Sequence, residues 1–184
     1  MTDFQSLAED YSDSRQEALQ ILEQATNSVI EACRMQLEFP LWLEGPTAQP
    51  DQGCSTYGSG IALTDATGGF NLMLVGNERS TKTLTRQLFF MEDDAEVGRE
   101  DIADAFGELV NMAAGAVKTN RSDDKPDFQL GLPLFLTGSG CLEFLARGVY
   151  ASAQALEGPG EIRLQMVVVW KGSPPMSTDE TQSP

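Results

Sequence analysis

The feature that most constrains this chain is an unbroken amphipathic stretch over residues 99–119, REDIADAFGELVNMAAGAVKT. At about 100° per residue, Ile102, Phe106, Leu109, Ala113, Ala116 and Val117 fall on one side of a helix. Asp104, Glu108, Asn111, Gly115 and Lys118 fall on the other. Such a helix is marginal alone in water and must lay its apolar side on a second layer. Its direction is electrostatically supported, with Glu100, Asp101 and Asp104 at the positive N-terminal end and Lys118 near the negative C-terminal end. The rest of the chain therefore has to supply the layer that this helix covers.

A second apolar stripe, Ala18, Leu19, Leu22, Ala25, Val29, Ala32 and Cys33, recurs at steps of three and four. It predicts a packing helix that begins near Arg15, capped within residues 12–14 and preceded by a flexible polar segment, 1–14. Phe39, Pro40 and the glycines and prolines within 44–54 end that helix and read as a loop or a ragged edge strand. Two β-prone runs, 57–63 and 70–75, flank Asp65-Ala-Thr-Gly-Gly69 and predict a hairpin. Asn77 to Ser80 supply a cap for a helix over 81–91, which the acidic Glu92, Asp93, Asp94 and Glu96 join to the long helix. Beyond it come a polar turn at 120–127, a strand at 128–136 and a break at Gly138-Ser-Gly140. Segments 142–151 and 162–170 read as antiparallel partners across a turn at 157–160, and the Ser, Thr and Pro of 172–184 as a disordered tail. Helices set between blocks of strands predict one α+β domain over 15–171, in which helices cover a mainly antiparallel sheet.

Composition narrows the function. Twelve basic against 28 acidic residues leave a net charge of −16, which repels a nucleic-acid backbone and an anionic membrane surface and favours a protein partner. The three cysteines, Cys33, Cys54 and Cys141, suit neither a disulfide framework nor a zinc site and read as reduced thiols. No basic and apolar leader opens the sequence and no apolar run approaches about 20 residues, so a cytoplasmic location is expected. There is no histidine. A Ser-His-Asp triad, a phosphohistidine relay and imidazole acid–base catalysis are thereby excluded, which leaves carboxylates, amides, hydroxyls and thiols.

A bare Glu-x-x-Asn on a helix is most often only a solvated face. The longer string Asp104-Ala-Phe-Gly-Glu-Leu-Val-Asn-Met-Ala-Ala-Gly-Ala-Val-Lys118, however, resembles the signature helix of the CheC/CheX/FliY chemotaxis phosphatases, most closely the CheX branch. Leu22-Glu-Gln-Ala-Thr26 with Val29 is similar to the first helix of that branch, and Gly131-Leu-Pro-Leu-Phe-Leu-Thr-Gly138 to the strand after the signature helix. The resemblance implies that Asn111 orients the water that attacks the phosphorylated aspartate of a CheY-like receiver, while Glu108 pairs with a receiver lysine. It implies no cofactor in this chain, Mg²⁺ belonging to the receiver, and it implies a homodimer. Asp104, Gly115 and Lys118 share the same face and are expected to touch the partner. Gly115 lowers helix stability by about 1 kcal/mol relative to Ala, a sacrifice that close approach of a partner would explain.

Gln24-Ala-Thr-Asn27 is a weaker second candidate, with glutamine in place of glutamate, so one site per chain is expected. The competing reading is a non-catalytic receiver-docking or flagellar-switch module; a small-ligand sensor finds no polar cluster to support it. Cys54 reads as an ordinary thiol. Ser80-Thr-Lys82 reads as a helix cap rather than a phosphate loop, because the glycine-rich pattern is missing. The acidic run 92–96 is most simply a solvated turn, with the capacity to steer a basic surface.

Overall fold

The computed structural model describes residues 4–37, 39–51, 55–66, 68–121, 125–139 and 149–171. In chain order the elements are α1 (Phe4–Leu37), β1 (Trp42–Ala48), β2 (Ser55–Thr64), β3 (Gly69–Gly76), α2 (Glu78–Leu88) and α3 (Arg99–Thr119). They are followed by β4 (Gln129–Leu130), β5 (Leu134–Ser139), β6 (Tyr150–Gly158), a single 3₁₀ turn (Pro159–Glu161) and β7 (Ile162–Trp170). The strands form one sheet in the order β1-β6-β7-β3-β2, with β4 and β5 both pairing the far edge of β2. Each of these pairings is antiparallel. The chain is thus the expected α+β fold, with helices packed on an antiparallel sheet.

The alternation of strand side chains divides the apolar residues into two groups. Leu72 and Leu74 of β3 and Leu164, Met166, Val168 and Trp170 of β7 join the helices in the main core, together with Leu22, Phe106 and Leu109. Met73, Val75, Val167 and Val169 face the other way and form a smaller cluster with Ala151 and Ala153. Among the described residues no helix contributes to that second cluster, so the helices lie on one face of the sheet. α3 packs on β2 and β3 and against α1, while α1 covers β6 and β7. The site helix is therefore backed on two sides by fixed elements.

One glycine is demanded by this arrangement. A Cβ at Gly58, whose φ is +153°, would stand 2.1 Å from the carbonyl oxygen of Leu74 on the paired strand. No side chain fits there.

Several expectations need correction. α1 starts at Phe4 rather than near Arg15, and residues 12–14 lie inside it instead of capping it. No glycine or proline occurs between 4 and 37, so nothing in the backbone stops the helix where the apolar stripe ends. α2 runs Glu78–Leu88, three residues earlier than 81–91, because the Asn77 side chain accepts a hydrogen bond from the Ser80 amide at 2.8 Å and fixes the start. The strand expected at 128–136 is two strands, divided at Gly131-Leu-Pro133, where proline cannot donate to a ladder. The expected break at Gly138 is instead part of β5, paired with Thr56 at a φ of +128°.

β6 spans Tyr150–Gly158, seven residues past the expected end at Ala151; residues 142–148 of the expected strand lie outside the described residues. Its Ala-Ser-Ala-Gln-Ala run has little intrinsic strand preference and is held by pairing on both sides, with β1 and β7. Residues 140–148 and the proposed tail, 172–184, lie outside the described residues, as do Cys54 and Cys141.

Cys33 is a free, buried thiol on α1. Burial pushes it up to about 12, so at neutral pH it holds its proton and lacks the thiolate that alkylating reagents require. In the native protein Cys33 is expected to resist iodoacetamide until denaturant is added, as read by peptide mapping. Rapid native labelling would show that the α1 packing opens readily.

Candidate functional site

α3 is set by its ends as well as by its packing. Gly98 is its N-cap, and the Gly98 amide donates to the Asp101 carboxylate at 2.7 Å, which ties down one of the amides that helix geometry leaves unpaired. Glycine has no side chain to return the bond, so only this half of a capping box exists. At the other end the Asn120 amide donates to the Ala116 carbonyl at 3.0 Å, and the Thr119 hydroxyl donates to the Gly115 carbonyl at 2.9 Å. Ile102, Ala105, Phe106, Leu109, Val110, Ala113, Ala114 and Val117 are buried. This face is broader than the sequence stripe, because the helix rests on both the sheet and α1. Ala116 lies at its margin, half-buried.

The opposite face carries the residues singled out from sequence. Asp104, Glu108, Asn111 and Lys118 are exposed, and Gly115 is half-buried among them. Glu108 and Asn111 stand one turn apart, which places their Cβ atoms roughly 5–6 Å from one another. Among the described residues neither side chain has a hydrogen-bond or ion-pair partner. A carboxylate and a carboxamide are thus presented together, unengaged, on a helix whose other flank is locked. A Cβ at Gly115 would meet nothing within 4 Å, so no packing among the described residues demands that glycine. The other candidate, Asn27, is also exposed, on α1, next to a half-buried Gln24. Both residues border a shallow depression of about 480 Å³ between α1 and α3, lined also by Met35, Met112 and Ala116.

Arg121 escaped the sequence reading. Only 7% of its side chain is exposed, and it pairs through one nitrogen with Asp65 and, at 3.2 Å, with Glu17. Its guanidinium carbon sits 3.5 Å from the centre of the Phe128 ring. Lys125 closes the cluster with a 3.1 Å contact to Glu17. The end of α3 is thereby tied to α1, to the β2–β3 turn and to the approach to β4. A polar run at 120–127 gave no hint of this, because nothing local pairs Arg121 with residues more than fifty positions away.

Two aromatic residues were likewise missed. Phe89 and Phe90, at the end of α2, are 44% and 82% exposed. The motif Ser80-Thr-Lys82 proves structural: the Ser80 hydroxyl accepts a bond from the Arg163 amide at 3.0 Å, and Lys82 pairs with Glu78 at 2.7 Å, holding that carboxyl below its usual range. Among the described residues no group of three or more acidic or thiol side chains could hold a metal ion. No described helix is long and apolar enough to cross a membrane.

The family described as "Chemotaxis phosphatase CheX" matches residues 59–147. The fold resembles that of chemotaxis protein CheX from Desulfovibrio desulfuricans, with a TM-score of 0.62, 13% identity, and coverage of 83% of this chain and 99% of that one. It also resembles the CheX–CheY–BeF3–Mg complex from Borrelia burgdorferi, at a TM-score of 0.61, 18% identity, and coverage of 81% and 96%. FliY from Thermotoga maritima is similar at a TM-score of 0.57, 13% identity, and coverage of 86% and 90%. No curated protein sequence matches the chain.

Proposed function

We propose that this chain, a member of the CheX branch of the CheC/CheX/FliY chemotaxis proteins, hydrolyses the aspartyl phosphate of a CheY-like response regulator. The observation that carries the reading is the exposed and unengaged pair Glu108 and Asn111 on the outer face of α3. The complex of a CheX with CheY, BeF3 and Mg from Borrelia burgdorferi supports the choice of partner.

The chemistry asks little of the side chains. Phosphoryl transfer is driven mainly by in-line placement of the nucleophile and by charge stabilisation. The Asn111 carboxamide can accept a hydrogen bond from water through its oxygen and donate one through its nitrogen, which orients the water without a strong base. Water oxygen then bonds to phosphorus as the bond to the aspartyl oxygen breaks. The aspartate leaves as a carboxylate, and the water proton passes to phosphate or solvent. Mg²⁺ held by the receiver would neutralise the phosphoryl oxygens, so this chain supplies no metal ligand. Glu108 would hold the receiver through a lysine. Asp104, Gly115 and Lys118 would frame the contact, with Gly115 leaving room for close approach. A cytoplasmic location and a homodimeric state belong to the same proposal.

The test is phosphate release from phosphorylated receivers of the source organism, with and without this protein. Acceleration of one receiver is expected. In the same assay Glu108→Lys would place a cation against the receiver lysine, and association is expected to weaken by at least roughly a hundredfold, as for one partner of a buried charge pair reversed. Tight binding by that variant would remove Glu108 from the interface. The second reading, a docking module without catalysis, is motivated by the likeness in fold to FliY. Receiver binding by the wild type without phosphate release would select it.

A further inference from the structure

Phe90 occupies a conformation that a phenylalanine seldom adopts. Its φ is +51°, in the left-handed region, at the position just past a helix end where glycine is usual. It is also the most exposed of the aromatic side chains among the described residues, at 82%, and Phe89 before it is 44% exposed. A strained backbone and a solvated aromatic ring are both unfavourable, and neither is repaid by packing within the chain. The turn itself is well anchored. The Phe90 amide donates to the Gln87 carbonyl at 3.3 Å, the Met91 amide to the Arg86 carbonyl at 2.9 Å and the Ala95 amide to the Glu92 carbonyl at 3.0 Å. The Arg86 side chain donates to the Ala95 carbonyl at 2.9 Å, and Val97 is buried. The ring is therefore held out on a preformed turn, the arrangement that makes an aromatic anchor effective at an interface.

Charge indicates what it meets. Glu92, Asp93, Asp94 and Glu96 follow the aromatic pair and are exposed. Glu100, Asp104 and Glu108, at steps of four along α3, continue as an exposed acidic stripe that ends beside Asn111. From Glu100 to Asn111 the helix rises roughly 17 Å, which fits within one protein–protein footprint of about 800 Å² per partner. A second copy of a chain with a net charge of −16 is a poor match for this surface, and so is an anionic membrane.

We propose that Phe90, supported by Phe89 and followed in the chain by the exposed carboxylates Glu92, Asp93, Asp94 and Glu96, is a docking anchor for the response-regulator receiver, inserting into an apolar depression bordered by lysine or arginine. The proposal rests on the phosphatase reading and adds a recognition element to it, remote from the reacting atoms.

The test uses the full chain and a receiver loaded with beryllofluoride, which stands in for the phosphoryl group. Calorimetric binding is compared for wild type, Phe90→Gly and Phe90→Asn, two residues that accept a positive φ. The expected result is a Kd raised at least roughly tenfold in both variants, with melting temperatures equal to or above that of the wild type. Saturating turnover should stay unchanged, because the anchor is absent from the chemistry. Wild-type binding in both variants would overturn the anchor and leave the phosphatase reading intact. A lowered melting temperature in both would also overturn it, making Phe90 structural. Unchanged receiver binding with a weakened homodimer would assign the turn to a second copy and overturn it too. If the wild type neither binds nor dephosphorylates any receiver, the phosphatase reading fails and the anchor fails with it.

Discussion

Replacing Asn111 by alanine is expected to remove roughly a hundredfold or more of the acceleration of receiver dephosphorylation while leaving the fold and receiver binding nearly untouched. The size follows from what the carboxamide is asked to do. Losing one preorganised group that positions a nucleophile or a developing charge typically costs about 10²–10³ in rate. The sparing of the fold follows from the structure. Asn111 is exposed, and no described residue bonds to its side chain. Alanine is also the better helix former, so the stability change should lie within about 0.5 kcal/mol of zero. Asn111→Asp is a sharper variant, because it keeps the shape but sets a negative charge against an anionic phosphoryl group. It should be at least as defective. Phosphate release under single-turnover conditions, paired with thermal melts and binding of a beryllofluoride-loaded receiver, separates the effects. Undiminished acceleration by Asn111→Ala would dismiss this residue as the water-orienting group.

The largest loss of stability is expected from Arg121→Leu. Asp65 pairs with Arg121, has a side chain only 2% exposed, and also accepts from the Gly68 amide at 3.0 Å, so deleting the guanidinium removes this cation from a buried carboxylate that keeps its turn hydrogen bond. Breaking a buried pair from one side costs about 3–5 kcal/mol, a large part of the roughly 5–15 kcal/mol that holds a typical domain together. Glu17 suffers less, since it is more exposed and keeps Lys125 at 3.1 Å. The ring of Phe128 also loses the cation above its face. The double variant Arg121→Leu, Asp65→Asn should recover part of the loss, because the buried charge is gone while the carboxamide oxygen can still accept from the Gly68 amide. Urea denaturation of the three proteins reads this directly. A single variant that unfolds less than about 1 kcal/mol more easily would mean that water already satisfies the carboxylate, and the cluster would not be a clamp on the end of α3.

Legibility in the sequence followed the range of the interactions involved. α3 was readable to its ends because periodicity, a charged first turn and a terminal lysine are all local, and the structure returns Arg99–Thr119. The hairpin of β2 and β3 was readable for the same reason, since its turn chemistry lies within five residues. The part of β6 beyond Ala151 was not legible because its alanines carry almost no strand preference, and its ladder partners in β1 and β7 are what keep it extended. The strand at 128–136 was misread as continuous because proline in a run weakens a strand without saying on which side it ends. Glu108 and Asn111 were legible as a pair on one face, and the structure adds that both are exposed.

The sequence by itself determined the amphipathic helix, the polarity of each of its faces and the absence of imidazole chemistry. All of these depend on residue type and spacing alone. Only the tertiary structure decided that α3 is buried across a wide arc by sheet and helix together, and that Arg121 ties its end to three other segments. It alone decided, too, that Phe90 is held in solvent at a positive φ. Those are long-range or conformational facts, and the contact energies that impose them come from residues far away in the chain.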